Sequence, residues 1–218
     1  MATTVFYPDA NPESTSVDGR VGRANGINET FGVIRAGAGL FAEDSATVTD
    51  LVLLTSTTTS NQYSGLIRSI ILFDTSSIPD SDVISAAILE IYVVLKDNTL
   101  GNLSFVVVAS TPASNTALVA ADYAQTGTTA LSNTLAVNSV STSAYNTWTL
   151  NATGLAAISK TSITKLALVL ENDRSNSAPS WVSGVTTKIN GHFADAANKP
   201  KLTVTHAPVI GGIPIFYQ

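Results

Sequence analysis

The chain has 218 residues, of which 44% are hydrophobic and only 12% charged, with a formal charge of −5. No Lys/Arg run supplies the phosphate-neutralising patch that nucleic-acid binding needs, so nucleic acid is not an expected partner. The absence of cysteine rules out a disulfide framework and a zinc-thiolate site, and no apolar stretch reaches the length of a membrane span.

That length suits one domain with a sizeable core. With so few charges, the outside must be covered by Ser, Thr, Ala, Asn and Gly. Such a surface suits a protein packed among copies of itself or other partners, because few charges are desolvated at each contact. A Ser/Thr-rich secreted sandwich would have the same composition. The opening Met1-Ala2-Thr3-Thr4 carries neither a basic n-region nor an apolar h-region, so either a leader was removed or none was used.

In chain order, short β-branched runs separated by Ser/Thr/Asn/Gly/Pro clusters predict about ten strands, the signature of a sandwich or barrel. They fall at 3–7, 31–36, 46–55, 66–74, 86–95, 103–109, 145–150, 165–171, 185–191 and 201–206. After the first strand, Asp9, Asn11 and Glu13 place three oxygen donors at alternate positions, a pattern that can wrap calcium or simply form Asx-turns. Asp80/Asp82 and Glu171/Asp173 are weaker pairs of the same kind. In the fourth strand, Ser69-Ile70-Ile71-Leu72-Phe73 is uniformly apolar, as expected of a central strand covered on both faces. Asp74 follows, where its carboxylate can accept from the backbone N–H of Ser76 or Ser77, and Pro79 keeps the turn out of the ladder. Arg68, at the head of this strand, either pairs with a carboxylate or snorkels from an edge. In the fifth strand Ala87, Leu89, Ile91 and Val93 point one way and Glu90 and Tyr92 the other, giving one core face and one wet face. Short helices are predicted at 118–123 and 155–158, the second capped by Asn151 or Thr153.

The run Arg68-Ser69-Ile70-Ile71-Leu72-Phe73-Asp74-Thr75-Ser76-Ser77-Ile78-Pro79, followed by Ile84-Ser85-Ala86-Ala87-Ile88-Leu89-Glu90-Ile91-Tyr92-Val93, resembles the DNRLRE-type domain. Three further pieces keep the family order: Tyr145-Asn146-Thr147-Trp148-Thr149-Leu150-Asn151, Lys165-Leu166-Ala167-Leu168, and Asn198-Lys199-Pro200-Lys201-Leu202-Thr203-Val204-Thr205. The resemblance spans 3–206 and implies an all-β jelly-roll sandwich. It further implies surface binding or structure, since such domains occur in secreted bacterial proteins, carbohydrate-binding modules and phage sequences. Family members are usually modules of longer secreted proteins, whereas this sequence holds the domain alone, which turns the expectation toward a stand-alone assembly component.

Catalysis finds little support. The only histidines are His192 and His206, and there is no Gly-x-Ser-x-Gly elbow, His-Glu-x-x-His pair or Gly-rich phosphate loop. For a sugar-binding alternative, Trp181 at a loop end, with Tyr63, Tyr92 and Tyr123, could offer stacking rings, while Trp148 reads as buried. Beyond the domain at 1–206, the tail 207–218 carries Val209, Ile210, Ile213, Ile215, Phe216 and Tyr217. Burying four of its large side chains would contribute about 6–10 kcal/mol before ordering entropy. The tail is therefore expected to dock on a neighbouring subunit, in a groove or as an added strand, or to fold back on its own sandwich. The expected role is non-enzymatic: a virion component such as a capsid decoration, tail or fibre, or another extracellular assembly subunit that contacts copies of itself. The alternative is a carbohydrate-binding module that recognises polysaccharide through loop aromatics. No cofactor is expected, calcium aside.

Overall fold

The structure, a computed structural model, describes residues 1–208. The tail positions Val209, Ile210, Ile213, Ile215, Phe216 and Tyr217 lie outside the described residues.

The strands are β1 (Ala2–Phe6), β2 (Asp18–Thr30), β3 (Phe41–Glu43), β4 (Val48–Ser56), β5 (Gln62–Asp74), β6 (Asp82–Asn98), β7 (Ser104–Ala109), β8 (Leu135–Ala136), β9 (Ala144–Thr149), β10 (Ile163–Leu170), β11 (Thr186–His192) and β12 (Lys201–Pro208). Three short helices join them, α1 (Phe31–Ala36), α2 (Ala152–Ala156) and α3 (Glu171–Ser175), with a 3-10 turn at Ala120–Ala124. All strand pairs are antiparallel, and the order β1-β12-β6-β11-β4-β5-β10-β7-β8 makes one large curled sheet. Two long strands let that ladder fold into a sandwich. Along one flank of β5, β4 pairs first and β10 follows, while β2 runs along the other. In the same way β12 and then β11 pair with one flank of β6, and β9 with the other. The all-β sandwich expected from the sequence is the observed architecture.

Side-chain alternation explains which face is buried. In β6 Ala87, Leu89, Ile91 and Val93 are buried while Glu90 and Tyr92 are half-exposed, so the period-2 pattern sets the core face. Residues 69–73 of β5 are fully buried because the strand has neighbours on both flanks and layers on both faces. Trp148 is buried as well, and its indole N–H donates to the Phe105 carbonyl at 3.3 Å. At the start of α2 the Asn151 side chain accepts from the Gly154 N–H at 3.0 Å, capping the first turn.

One predicted strand is a helix. Residues 31–36 form α1, with Phe31 and Ile34 buried and Val33 exposed. That is the i, i+3 spacing of a helical face, whereas a strand would have put Phe31 and Val33 on one side. The sequence reading also lacked β2, which is polar and Gly-rich. Gly22 is required there because a Cβ would come within 2.5 Å of the Phe41 ring, and at Gly19 within 2.3 Å of the Glu43 carbonyl oxygen. Close packing, not side-chain pattern, makes this segment a strand.

Candidate functional site

Four places in the sandwich concentrate polar chemistry. The first is a buried knot around Arg68. Its Nε donates to Asp173 Oδ2 and its Nη2 to Asp173 Oδ1, both at 2.7 Å, while Nη2 also reaches the Arg35 carbonyl at 3.0 Å and Nη1 the Tyr123 carbonyl. The guanidinium lies 4.0 Å from the centre of the Tyr123 ring. The paired-carboxylate alternative for Arg68 is thus the arrangement found. Asp173 comes from α3, 105 positions away, so no local pattern announces it.

The second is the corner formed by 9–18 and 193–195. Asp9 Oδ2 accepts from the backbone N–H groups of Ser14, Thr15 and Ser16 at 3.0, 2.6 and 3.2 Å, and from the hydroxyls of Ser14 and Thr15. Desolvation would raise its carboxyl, but these hydrogen bonds outweigh it and hold the pKa at about 2. Asn11 is exposed, and its side-chain amide donates to Glu13 Oε2 at 3.3 Å. Of the three residues expected to offer oxygens to calcium, Asp9 has Oδ2 taken by its own loop, and Asn11 is bonded to Glu13. Among the described residues no group of three or more acidic or imidazole side chains is placed to hold a metal ion. Behind this loop Asp18 is fully buried, and its two oxygens share one donor, the Ala194 N–H at 3.2 and 2.9 Å. Burial pushes its carboxyl well above the usual range, and the nearby Asp195 and Glu13 carboxylates push the same way. Glu13 Oε1, Ser16 Oγ and Asp195 Oδ2 are buried without a hydrogen-bond partner among the described residues.

The third is a chain of hydrogen bonds across β1, β12 and β6. His206 Nδ1 lies 2.6 Å from Asp82 Oδ2, and its Nε2 3.1 Å from Thr4 Oγ1. The connectivity is that of a hydroxyl, imidazole and carboxylate relay. However, the adjoining cleft is lined by Asp82, Val83, Ile84, Leu155, Ile158 and Lys160, and neither Thr4 nor His206 opens into it. Asp82 and His206 are buried, and these contacts satisfy their polar atoms at the end of the sheet. Sequence reading missed it because its members are brought together only by strand register.

The fourth is the outer face. A groove of about 620 Å³ crosses β2, β5 and β4, lined by Arg20, Phe41, Asp50, Leu53, Thr55 and Ile67. Arg20 stacks 5.5 Å from the Phe41 ring and pairs with Glu43 at 2.6 Å. Elsewhere Tyr92 packs edge-on against Tyr145 at 5.4 Å, and the Lys201 ammonium sits 4.4 Å from the Tyr145 ring. Tyr7, 50% exposed, lines a neighbouring cleft with Tyr145 and Lys199.

The rings expected to stack on sugar are placed otherwise. Tyr63 is buried with its hydroxyl donating to the Pro179 carbonyl at 3.3 Å, and Tyr123 is buried with its hydroxyl donating to the Ile34 carbonyl at 2.7 Å. Both are corrected from platform to core, since a tyrosine whose hydroxyl finds a carbonyl can be buried whole. Trp181 is half-buried against the core, and its indole N–H donates to the Gln62 carbonyl at 3.3 Å. Asp74 Oδ1 accepts from the Ser76 N–H at 3.1 Å and the Ser76 hydroxyl at 2.6 Å. Pro79 lies in the turn that follows, its carbonyl accepting from the Asp82 N–H at 2.9 Å. No family model and no curated protein matches this sequence.

Proposed function

We propose that this protein is a non-enzymatic assembly subunit, of a virion or another extracellular structure, that packs against copies of itself through uncharged β-surface. The observation carrying this reading is a pair of rows on one face of the sheet, beside the Lys201–Glu90 ion pair of the next row. Val5, Thr203, Ile88 and Thr149 stand side by side across β1, β12, β6 and β9, and Thr3, Thr205 and Ala86 form the next row. Neither row contains a charge. Both run out to β1, which among the described residues pairs only with β12 and forms an edge of the sheet. Its sequence, Ala2-Thr3-Thr4-Val5-Phe6, contains none of the Lys, Glu or Pro residues that usually guard an edge against pairing. Val5, Tyr7 and Val83 are exposed in this region, and β12 ends at Pro208, opposite Asp82. Covering such a face removes apolar and hydroxyl-bearing surface from water without stripping ions of their hydration.

The test is charge insertion. Val5→Lys combined with Thr203→Lys should break the wild-type assembly into monomers while leaving the thermal transition of the monomer nearly unchanged, because both side chains point outward. Deleting 209–218 distinguishes docking in trans, which predicts lost assembly and a folded monomer, from docking in cis, which predicts a destabilised monomer. An assembly that tolerates both lysines would reject this face as the contact.

A second reading, polysaccharide binding, is supported by the Tyr7, Tyr92 and Tyr145 group and by the Phe41 groove rather than by Tyr63 or Tyr123. Retention on insoluble polysaccharide that is lost in Tyr145→Ala and Tyr7→Ala, and kept in Trp181→Ala, would favour it.

A further inference from the structure

The cleft between α1, α3 and the segment 124–127 encloses about 190 Å³ and is lined by Arg35, Arg68, Thr126, Gly127, Asp173 and Arg174 among others. Three arginines therefore meet one small space in a chain that carries a net charge of −5. Among the lining residues Asp173 is the single carboxylate. Two of the three arginines are engaged by the protein itself. Arg68 is clamped bidentately by Asp173 at 2.7 Å. Arg174 donates from Nε to Glu171 Oε2 at 2.8 Å and from Nη1 to the Thr128 carbonyl at 3.0 Å.

Arg35 differs. Its Nε donates to the Asp173 carbonyl and stands 3.4 Å from Asp173 Oδ1, but Nη1 and Nη2 donate to no group among the described residues. The side chain is nonetheless only 21% exposed. Its terminal N–H groups are thus left to solvent or to a ligand, with no acceptor among the described residues competing for them. The paired Nη groups form a planar fork matched to two oxygens of a carboxylate or phosphate. Partial enclosure strengthens the attraction by lowering the effective dielectric.

We propose that this cleft binds an oxyanion, the carboxylate or phosphate group of a small ligand, gripped by the Nη edge of Arg35 beside Thr126. The enclosed volume admits such a group with a few further atoms and is smaller than drug-sized pockets, which begin at about 300 Å³. This site is separate from the uncharged face assigned to assembly.

The experiment is titration of the full chain with sodium acetate and with sodium phosphate at constant ionic strength, sodium chloride being the control. Binding is followed by the Arg side-chain Nε resonances and by thermal shift. Constant ionic strength keeps screening from imitating binding. Saturable binding of at least one of the two anions is expected. Arg35→Gln should weaken it by about tenfold or more, and Arg35→Lys by less, since lysine keeps the charge but loses the fork. Thr126→Val should show a smaller loss with the melting transition intact. Should Arg35→Gln not fold, Arg35→Lys and Thr126→Val carry the test. Tighter acetate binding assigns a carboxylate ligand and tighter phosphate binding a phosphoryl one. The proposal is overturned if neither anion acts differently from chloride, or if the folded variants bind as well as the wild type.

Discussion

Asp173 and Asp18 are both carboxylates withdrawn from water, at 3% and 0% exposure, yet their surroundings are opposite. Asp173 receives two charge-assisted hydrogen bonds from Arg68 and has Arg35 3.4 Å away. Asp18 shares one backbone N–H between its two oxygens and has the Asp195 and Glu13 carboxylates as electrostatic neighbours. Burial alone therefore does not say whether a charge supports the fold. What decides is whether the site supplies enough donors to replace water. The Arg68 knot ties α1, the 3-10 turn and α3 to β5, whereas the Asp18 corner offers a carboxylate too few donors.

The largest expected effect comes from breaking the satisfied pair. Arg68→Met strips buried Asp173 of both charge-assisted hydrogen bonds and leaves only Arg35 at 3.4 Å, and denaturant unfolding should show a loss of about 3–5 kcal/mol. The double variant Arg68→Met with Asp173→Leu should recover much of that, since no orphaned charge remains. A single variant costing under about 1 kcal/mol would erase the contrast.

Asp18→Asn sharpens the comparison from the other side. It keeps an acceptor for Ala194 and removes the penalty of holding a carboxyl group in this site, so stability at pH 7 should rise by about 1–3 kcal/mol. The pH dependence has a definite sign. The folded-state pKa of Asp18 is raised, so its contribution is fully present below the unfolded value of about 3.9. It is lost as pH climbs through the folded value. The advantage of Asp18→Asn should thus grow with pH, and an advantage that grew on acidification would contradict the reading.

Asp9 gives the smallest effect and the opposite sign. Its folded pKa of about 2 lies below the unfolded one, so its contribution is present above about 3.9 and disappears as pH falls toward the folded value. Because Asp9 remains partly solvated, Asp9→Ala should cost under about 1 kcal/mol. The cost should vanish in acid-unfolding profiles near the folded pKa.

The same contrast explains what was legible in the sequence. The alternation in β6, the uniform run in β5, the Asn151 cap and the Asp74 turn are local patterns, and each predicts its own geometry. β2 is written in glycines whose reason is the Phe41 ring and the Glu43 carbonyl, both reached only after folding. At 31–36 a short apolar run reads as a strand, and the burial of Phe31 with Ile34 belongs to a helix instead. Tyr63 and Tyr123 looked like surface platforms because composition cannot reveal the carbonyls of Pro179 and Ile34 that accept their hydroxyls. Arg68 needed Asp173, His206 needed Asp82 and Thr4, and the Arg35 cleft needed α1 beside α3. Polar sites in an antiparallel sandwich are assembled by long-range register, and one-dimensional spacing does not encode that directly.

The central claim is that the uncharged face running to β1 is covered by another copy of the chain. The mass of the native particle in solution, measured on the full sequence by sedimentation equilibrium across a range of protein concentrations, tests it most directly. A discrete oligomer that dissociates when Val5 and Thr203 become lysine is the expected result. A species of single-chain mass at every concentration, with the wild type and the double-lysine variant indistinguishable, would contradict it.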